Sequence, residues 1–181
     1  MQITEQQIKT EIKKSIIFLS GFALFFIVLS LVISLIPLQF LEWPTAWFTQ
    51  QFLSFIGKPT VLTFQEPILL STETTEIAIS YLCTGFLELI VLVSAILASH
   101  GIEWNKRIKG IVFAVIGTQI FNLIRIFATV LFIFNSDIQT IDLVHNVLFR
   151  LTLFIVIAGF YFIWFAWSIG KLKFAFHRKF A

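Results

Sequence analysis

A single cysteine stands among 181 residues, and charged side chains make up only 13% of the chain. The first scarcity excludes an internal disulfide and any cysteine-cluster zinc or iron–sulfur scaffold, so the lone thiol serves either packing or chemistry. The second excludes a water-soluble fold, because an average soluble domain carries about twice that charge density. Three histidines, His100, His145 and His177, lie too far apart to make a ligand set, so neither a metal nor an organic cofactor is expected. Internal repeats, low-complexity tracts and soluble domains are lacking as well, and residues 1–181 read as one membrane domain.

What is abundant is apolar. Hydrophobic residues make up 58% of the chain, with 23 phenylalanines and five tryptophans, and the mean hydropathy is +0.94. They fall in long blocks rather than amphipathic stripes, as lipid-solvated helices require. Four blocks are long enough to cross a hydrocarbon core of roughly 30 Å: about 15–36, 77–99, 108–134 and 141–169. The expected fold is therefore an all-α membrane protein, a bundle of four transmembrane helices. The first block follows Lys9, Lys13 and Lys14. It exceeds the signal-peptide core of about 7–15 residues and no small-residue cleavage site follows, so it is read as a retained anchor.

A net charge of +3 and a pI near 9.2 would suit a nucleic-acid partner. The basic residues instead sort by membrane side, which removes that reading. Ten of the thirteen lysines and arginines lie before the first block, between the second and third, or after the fourth. Both termini and the 100–109 loop are thus expected in the cytoplasm, with residues 37–76 and about 135–140 outside. Within 37–76, Phe40, Leu41, Trp43, Trp47, Phe48, Phe52, Phe55 and Ile56 recur at near-helical spacing, predicting a helix lying at the headgroup level. Val61–Phe64 and Ile68–Ser71 are β-prone runs split by Gln65, Glu66 and Pro67, predicting a small hairpin over the outer surface.

Three charged residues lie inside the blocks: Glu88, Arg125 and Arg150. Such groups cost several kcal/mol in lipid unless paired, and so they mark function or an internal ion network. At 1.5 Å per residue, Arg125 sits about 22 Å from the cytoplasmic start of its helix, and Cys83 about 9 Å in from the outer start of its own. His145 comes within about 6 Å of an outer helix start, with Arg150 roughly two turns beyond. One outer layer therefore holds all these groups. A thiol becomes nucleophilic where a cation, a histidine or a helix N-terminus stabilises its thiolate. A cysteine acyl-transfer site fits: His145 would move protons and Arg125 would lower the thiol pKa or hold the oxyanion. Thr84 and Gly85 permit a close backbone approach, and Asn122 reads as packing or capping.

Tyr81-Leu82-Cys83-Thr84-Gly85-Phe86 with Glu88, then Asn122-Leu123-Ile124-Arg125-Ile126, then His145 near the start of the last block, together resemble the exosortase and archaeosortase family over residues 77–165. The resemblance implies a membrane-embedded cysteine transpeptidase or protease. It would process exported proteins that carry a C-terminal sorting signal made of a short motif, a transmembrane helix and a basic tail. Carried over by position, the catalytic set is Cys83, Arg125 and His145, with Arg150, Glu88, Thr84, Gly85 and Asn122 in supporting or substrate-binding roles. Some members have a glycine one turn after the histidine, where Phe149 and Arg150 stand here, so Arg150 remains an alternative third residue. The resemblance also implies a lipid or glycan amine as acceptor. Many members have eight spans, and a four-span chain would need a second copy or the substrate's own helix to complete its site. Two rival readings stay open: a noncatalytic scaffold or assembly factor in which Arg125, Arg150 and Glu88 form a structural network, and a transporter, which the lack of inverted repeats or broken helix pairs disfavours.

Overall fold

The computed structural model describes residues 5–72, 75–135 and 149–171. In chain order these form helix α1 (Glu5–Ser34), helix α2 (Leu38–Phe55), strands β1 (Val61–Thr63), β2 (Ile68–Ser71) and β3 (Glu76–Ile79), a single 3-10 turn (Tyr81–Cys83), and helices α3 (Phe86–Ala98), α4 (Trp104–Asn135) and α5 (Phe149–Ser168).

Helix α1 begins at Glu5, ahead of the apolar run read from Ser15, because paired charges extend it. Lys9 meets Glu5 and Lys14 meets Glu11, both at 2.7 Å and at helical spacing. It ends before Pro37, whose ring disfavours helical geometry in the preceding residue. No residue of α1 is buried within the protein, so its apolar surface is left for lipid.

The aromatic stretch is helical, as α2, and its inward stripe is the less apolar one. Leu41, Glu42, Thr45, Ala46, Thr49 and Leu53 are buried, whereas Phe40, Trp43, Trp47, Phe48 and Phe55 face outward. An outward aromatic face is what a headgroup-level environment allows, since rings there are not driven from water. The ring of Phe52 stacks on Phe127 of α4, with centroids 4.2 Å apart, and ties α2 to the long helix.

After α2 the chain forms a three-stranded antiparallel sheet in the order β1-β2-β3. Val61 pairs with Ser71 across the first ladder, and Ile68 pairs with Ile79 across the second. Ile68, Leu70, Ile77 and Ile79 alternate onto one buried face and pack with Ala46 and Leu53 of α2 and with Ile126 and Val130 of α4. Each such fully buried side chain contributes about 1.5–3 kcal/mol relative to exposure in water.

This sheet corrects the boundaries of the second apolar block, which was expected to be helical from Ile77. Residues Glu76–Ile79 are instead strand β3, and the helix starts only at Phe86. A short apolar run is ambiguous between strand and helix by periodicity alone, and here the unpaired edge of β2 decides in favour of a strand. Helix α3 has 13 residues, or about 20 Å at the usual rise. Among the described residues, two helices, Glu5–Ser34 and Trp104–Phe134, are long and apolar enough to cross a membrane, while Phe86–Ala98 and Phe154–Ser168 are shorter apolar helices.

Two contacts lock the end of the bundle away from the sheet. Arg107 donates to the carbonyls of Leu97, Ser99 and Ile102 at 3.0, 2.6 and 3.2 Å, taking up acceptors left free where α3 ends. Trp164 of α5 donates to the Lys106 carbonyl at 3.0 Å. A side chain at Gly110 would meet that indole at 2.1 Å, so only glycine permits this approach of α5 to α4.

Candidate active site

The only cysteine lies on the joint between sheet and helix. Ser80 is extended, Tyr81–Cys83 form one 3-10 turn, Thr84 is right-handed helical, and Gly85 is left-handed with φ of 76°. That sequence of conformations turns the chain from the edge of β3 into α3. Gly85 is required twice over: L-residues avoid this φ, and a Cβ here would lie 3.0 Å from Cγ of Asn122. The fully buried Thr84 staples the joint. Its hydroxyl donates to the Tyr81 carbonyl at 2.6 Å and accepts from the Phe86 amide at 3.3 Å.

The turn consumes two amides that an acyl-transfer site could have used. Cys83 N–H donates to Ser80 O at 2.8 Å and Thr84 N–H to Tyr81 O at 3.0 Å. Neither is free to form an oxyanion hole in this conformation. The Cys83 thiol is partly buried, and its sulfur lies 3.7 Å from the Ser80 hydroxyl.

Helix α4 supplies the other wall. Asn122 donates its side-chain amide to the Cys83 carbonyl at 2.8 Å. Arg125, one turn further along, sets one guanidinium nitrogen 3.5 Å from the Leu82 carbonyl and another 3.8 Å from the Glu88 carboxylate. The Arg125 and Glu88 side chains are each only 10% exposed, so the pair offsets the cost of holding two charges away from water. Glu88 belongs to the first turn of α3, where a carboxylate also meets the positive end of the helix.

Beneath the turn, Gly85, Glu88, Thr118, Asn122 and Arg125 line a narrow crevice together with Val156 and Ile157 of α5. The Asn122 side-chain oxygen is buried with no hydrogen-bond partner among the described residues. An amide that already spends its donor on the cysteine turn thus keeps an acceptor for a donor from outside.

Of the residues singled out in the sequence, the structure brings together Cys83, Thr84, Gly85, Glu88, Asn122 and Arg125. His145 lies outside the described residues. Arg150 belongs to the first turn of α5, and its side chain lies outside the described set. Sequence reasoning missed Ser80 and Glu42. Ser80 stands three residues before the cysteine, which is one 3-10 turn, so its spacing was a usable signal. Glu42 is a lone acid within an aromatic helix and only 2% exposed. Its carboxylate accepts from the Ile68 amide at 3.3 Å, which joins α2 to the sheet.

Comparison with known proteins gives one match. The family model described as "Transmembrane exosortase (Exosortase_EpsH)" matches residues 12–164, which include every element from α1 to most of α5. No curated protein and no solved structure matches the chain.

Proposed function

The chain belongs to the transmembrane exosortase family, and on that premise we propose that it is a membrane sorting transpeptidase or protease acting through a thioester at Cys83. Family membership and the apolar helices make it a membrane protein. The observation that carries the mechanistic reading is the placement of Cys83 on a turn whose Cys83 carbonyl is held by Asn122 and whose Leu82 carbonyl faces Arg125, both of α4. A nucleophile on a turn held by side chains from a second helix is ordered before substrate arrives.

In this reading the Cys83 thiolate attacks the scissile carbonyl carbon of an exported protein's C-terminal sorting signal. A C–S bond forms and the C–N bond breaks. The thiol proton passes through a neighbouring base, His145 in the family pattern or a group oriented by Arg150, to the leaving amine. An amine of a lipid or glycan, or water, then attacks the thioester carbonyl: a C–N or C–O bond forms, the C–S bond breaks, and the proton lost by the attacking group returns through the same base to the sulfur, restoring the thiol. With the Cys83 and Thr84 amides engaged in the turn, Arg125 is the group left to hold the oxyanion. The unpaired Asn122 oxygen accepts a backbone N–H of the substrate and fixes its register.

Depth supports an outer-face site. With the cytoplasmic end of α3 at the Arg107 loop, about 20 Å of helix raises Cys83 to within about 10 Å of the outer edge of a 30 Å core. The sheet and α2 pack around this level. Four helices, α1, α3, α4 and α5, then serve as the spans, both termini are cytoplasmic, and a second copy or the substrate's transmembrane helix completes the site.

The buried Arg125–Glu88 pair favours one rival, a noncatalytic scaffold with a structural ion network. Intact-mass analysis separates the two. A substrate with a motif, a transmembrane helix and a basic tail is co-expressed with wild type, Cys83→Ala and Arg125→Ala. Loss of the substrate's C-terminal helix with wild type alone supports the transpeptidase, and added mass identifies the acceptor. Equal processing by Cys83→Ala sinks it.

A further inference from the structure

We propose that the open edge of β3 is the binding edge for the sorting motif, the substrate's extended main chain joining the sheet as a fourth strand that runs parallel to β3 toward Cys83. The inference rests on the transpeptidase reading for the identity of its occupant and adds how that occupant is held. It starts from the hydrogen-bond parity of the hairpin. Thr72 N–H donates to the Thr75 carbonyl at 2.8 Å, which marks that pair as a bonded one. Bonded and non-bonded pairs alternate along an antiparallel ladder. Ile77 opposite Leu70 and Ile79 opposite Ile68 therefore turn their peptide groups toward β2, whereas those of Glu76 and Ala78 turn away from it. Strand β3 is last in the strand order, and Glu76 and Ala78 are exposed. Among the described residues, no other backbone group bonds to theirs.

This edge is unguarded, rigid and aimed at the thiol. Exposed edges are usually blunted by lysine, proline or a bulge. Ile77-Ala78-Ile79 carries none of these, and its pairing to β2 runs without a break. Ile77 and Ile79 are sunk in the core with Ile126 and Val130 of α4, which fixes the strand. Beyond it, Ser80 and the 3-10 turn advance about 2 Å per residue and put Cys83 about 8 Å past the strand. An added strand advances about 3.3 Å per residue, so a substrate peptide bond comes level with the sulfur within about three residues. A short motif fits that reach. Direction agrees as well: β3 passes through the cysteine turn into α3, whose far end meets Arg107 on the side that the charge distribution makes cytoplasmic. A tail built of motif, transmembrane helix and basic end crosses in the same sense, so the two strands are parallel. Strand β1 offers the other open edge, but it lies two strand spacings, about 10 Å, from β3. Its ends lead to α2 and β2 rather than to Cys83. Where a peptide adds to a sheet, its main chain supplies affinity and alternate side chains supply selectivity, so the motif is read at every second residue.

Amide hydrogen exchange, read residue by residue on the full chain in nanodiscs, tests the proposal. In the free chain the Glu76 and Ala78 amides should exchange at least about tenfold faster than those of Ile77 and Ile79. The probe is a pool of tails in which a randomised segment precedes a helix of about 20 leucines and alanines and a lysine-arginine end. Main-chain pairing tolerates sequence, so a pool serves. Added at saturation to Cys83→Ala, which leaves it uncleaved, the pool should slow exchange at Glu76 and Ala78 at least about tenfold and leave Leu62 of β1 unchanged. Ala78→Pro removes the outward amide without touching the ladder to β2, and should lose the protection at Glu76. Ala78→Val keeps the amide and should keep the protection. On a processed substrate Ala78→Pro should raise KM about tenfold with kcat nearly constant. Should Ala78→Pro not fold, the patterns of Cys83→Ala and Ala78→Val decide. No slowing at Glu76 and Ala78, or slowing confined to Leu62, overturns the proposal. So does protection in the free chain that deepens with protein concentration, as edge pairing between two copies would give. Intact-mass analysis of the same pool with wild type separates the two readings. Processing without edge protection removes this inference and keeps the transpeptidase; edge protection without processing removes the transpeptidase and keeps peptide binding at β3.

Discussion

Asn122 of α4 donates its side-chain amide to the main-chain carbonyl of Cys83 at 2.8 Å, across 39 positions of sequence. The bond makes the orientation of the thiol-bearing turn a property of α4. Arg125 lies one turn along the same helix, so the guanidinium and the thiol are held in register by one rigid element.

Asn122→Asp tests that coupling. The substitution nearly preserves volume and replaces the donor facing the Cys83 carbonyl with an acceptor, leaving a buried carbonyl unpaired beside a repelling oxygen. A loss of about 1–3 kcal/mol is expected in denaturant-induced unfolding, together with at least a tenfold loss of processing rate. Full activity in Asn122→Asp would show that the turn orients itself.

Gly85→Ala should be severe although it adds one methyl group. The left-handed φ of 76° costs an L-residue about 1–2 kcal/mol, and the new Cβ, 3.0 Å from Asn122 Cγ, displaces the side chain that holds Cys83. Lower thermal stability and a changed alkylation rate at Cys83 should appear together. A stability loss with an unaltered alkylation rate would confine the role of Gly85 to the backbone turn.

Arg125 and Glu88 form one ion pair, yet their removal is expected to have unequal effects. In the proposed mechanism the guanidinium serves the oxyanion, so Arg125→Ala should cost about 10²–10³ in kcat. Glu88→Gln leaves the guanidinium in place and should cost much less. Equal losses on single-turnover analysis would make the pair structural and favour the scaffold.

A membrane-impermeant maleimide locates the site. With ten basic residues sorted to one side, Cys83 should react in right-side-out vesicles and stay protected in inverted ones. The reverse pattern would overturn the orientation drawn from the charge distribution.

Glu42 gives the fold a pH dependence. Burial, only partly offset by the amides of Ile68 and Tyr81, holds its carboxyl above the ordinary value of 4.5, and Glu66 adds to the rise. The folded chain therefore binds this proton more tightly than the unfolded chain, and stability should fall as pH rises from 4.5 through the raised value, then level off. Thermal melts across that window should show the slope in wild type and a flatter profile in Glu42→Gln. Equal slopes would assign the dependence to another group.

Several features were legible because they depend on local composition. The apolar runs, the aromatic helix over residues 38–55 and the cysteine motif each show in a window of a few residues. The start of α3 was not legible. Ile77-Ala78-Ile79 looks like helix in an apolar run and becomes strand because β2 offers it a pairing edge. Glu42 was hidden for the same kind of reason: its partner, Ile68, lies 26 positions away and meets it only when the sheet folds over α2.

By itself the sequence determined the solvent and the chemistry on offer: apolar blocks that only lipid accommodates, basic residues gathered into three segments that flank those blocks, and one thiol followed along the chain by arginines inside the apolar blocks. Run length and charge asymmetry act against the bilayer residue by residue, so they need no knowledge of neighbours. The tertiary structure decided which of these groups touch. Backbone pairing drew the start of the second apolar block into a strand, the left-handed Gly85 let Asn122 approach, and side chains from α4 took hold of the cysteine turn. Those outcomes rest on satisfying buried donors and acceptors between segments far apart in the chain, a condition that exists only once the chain has closed on itself.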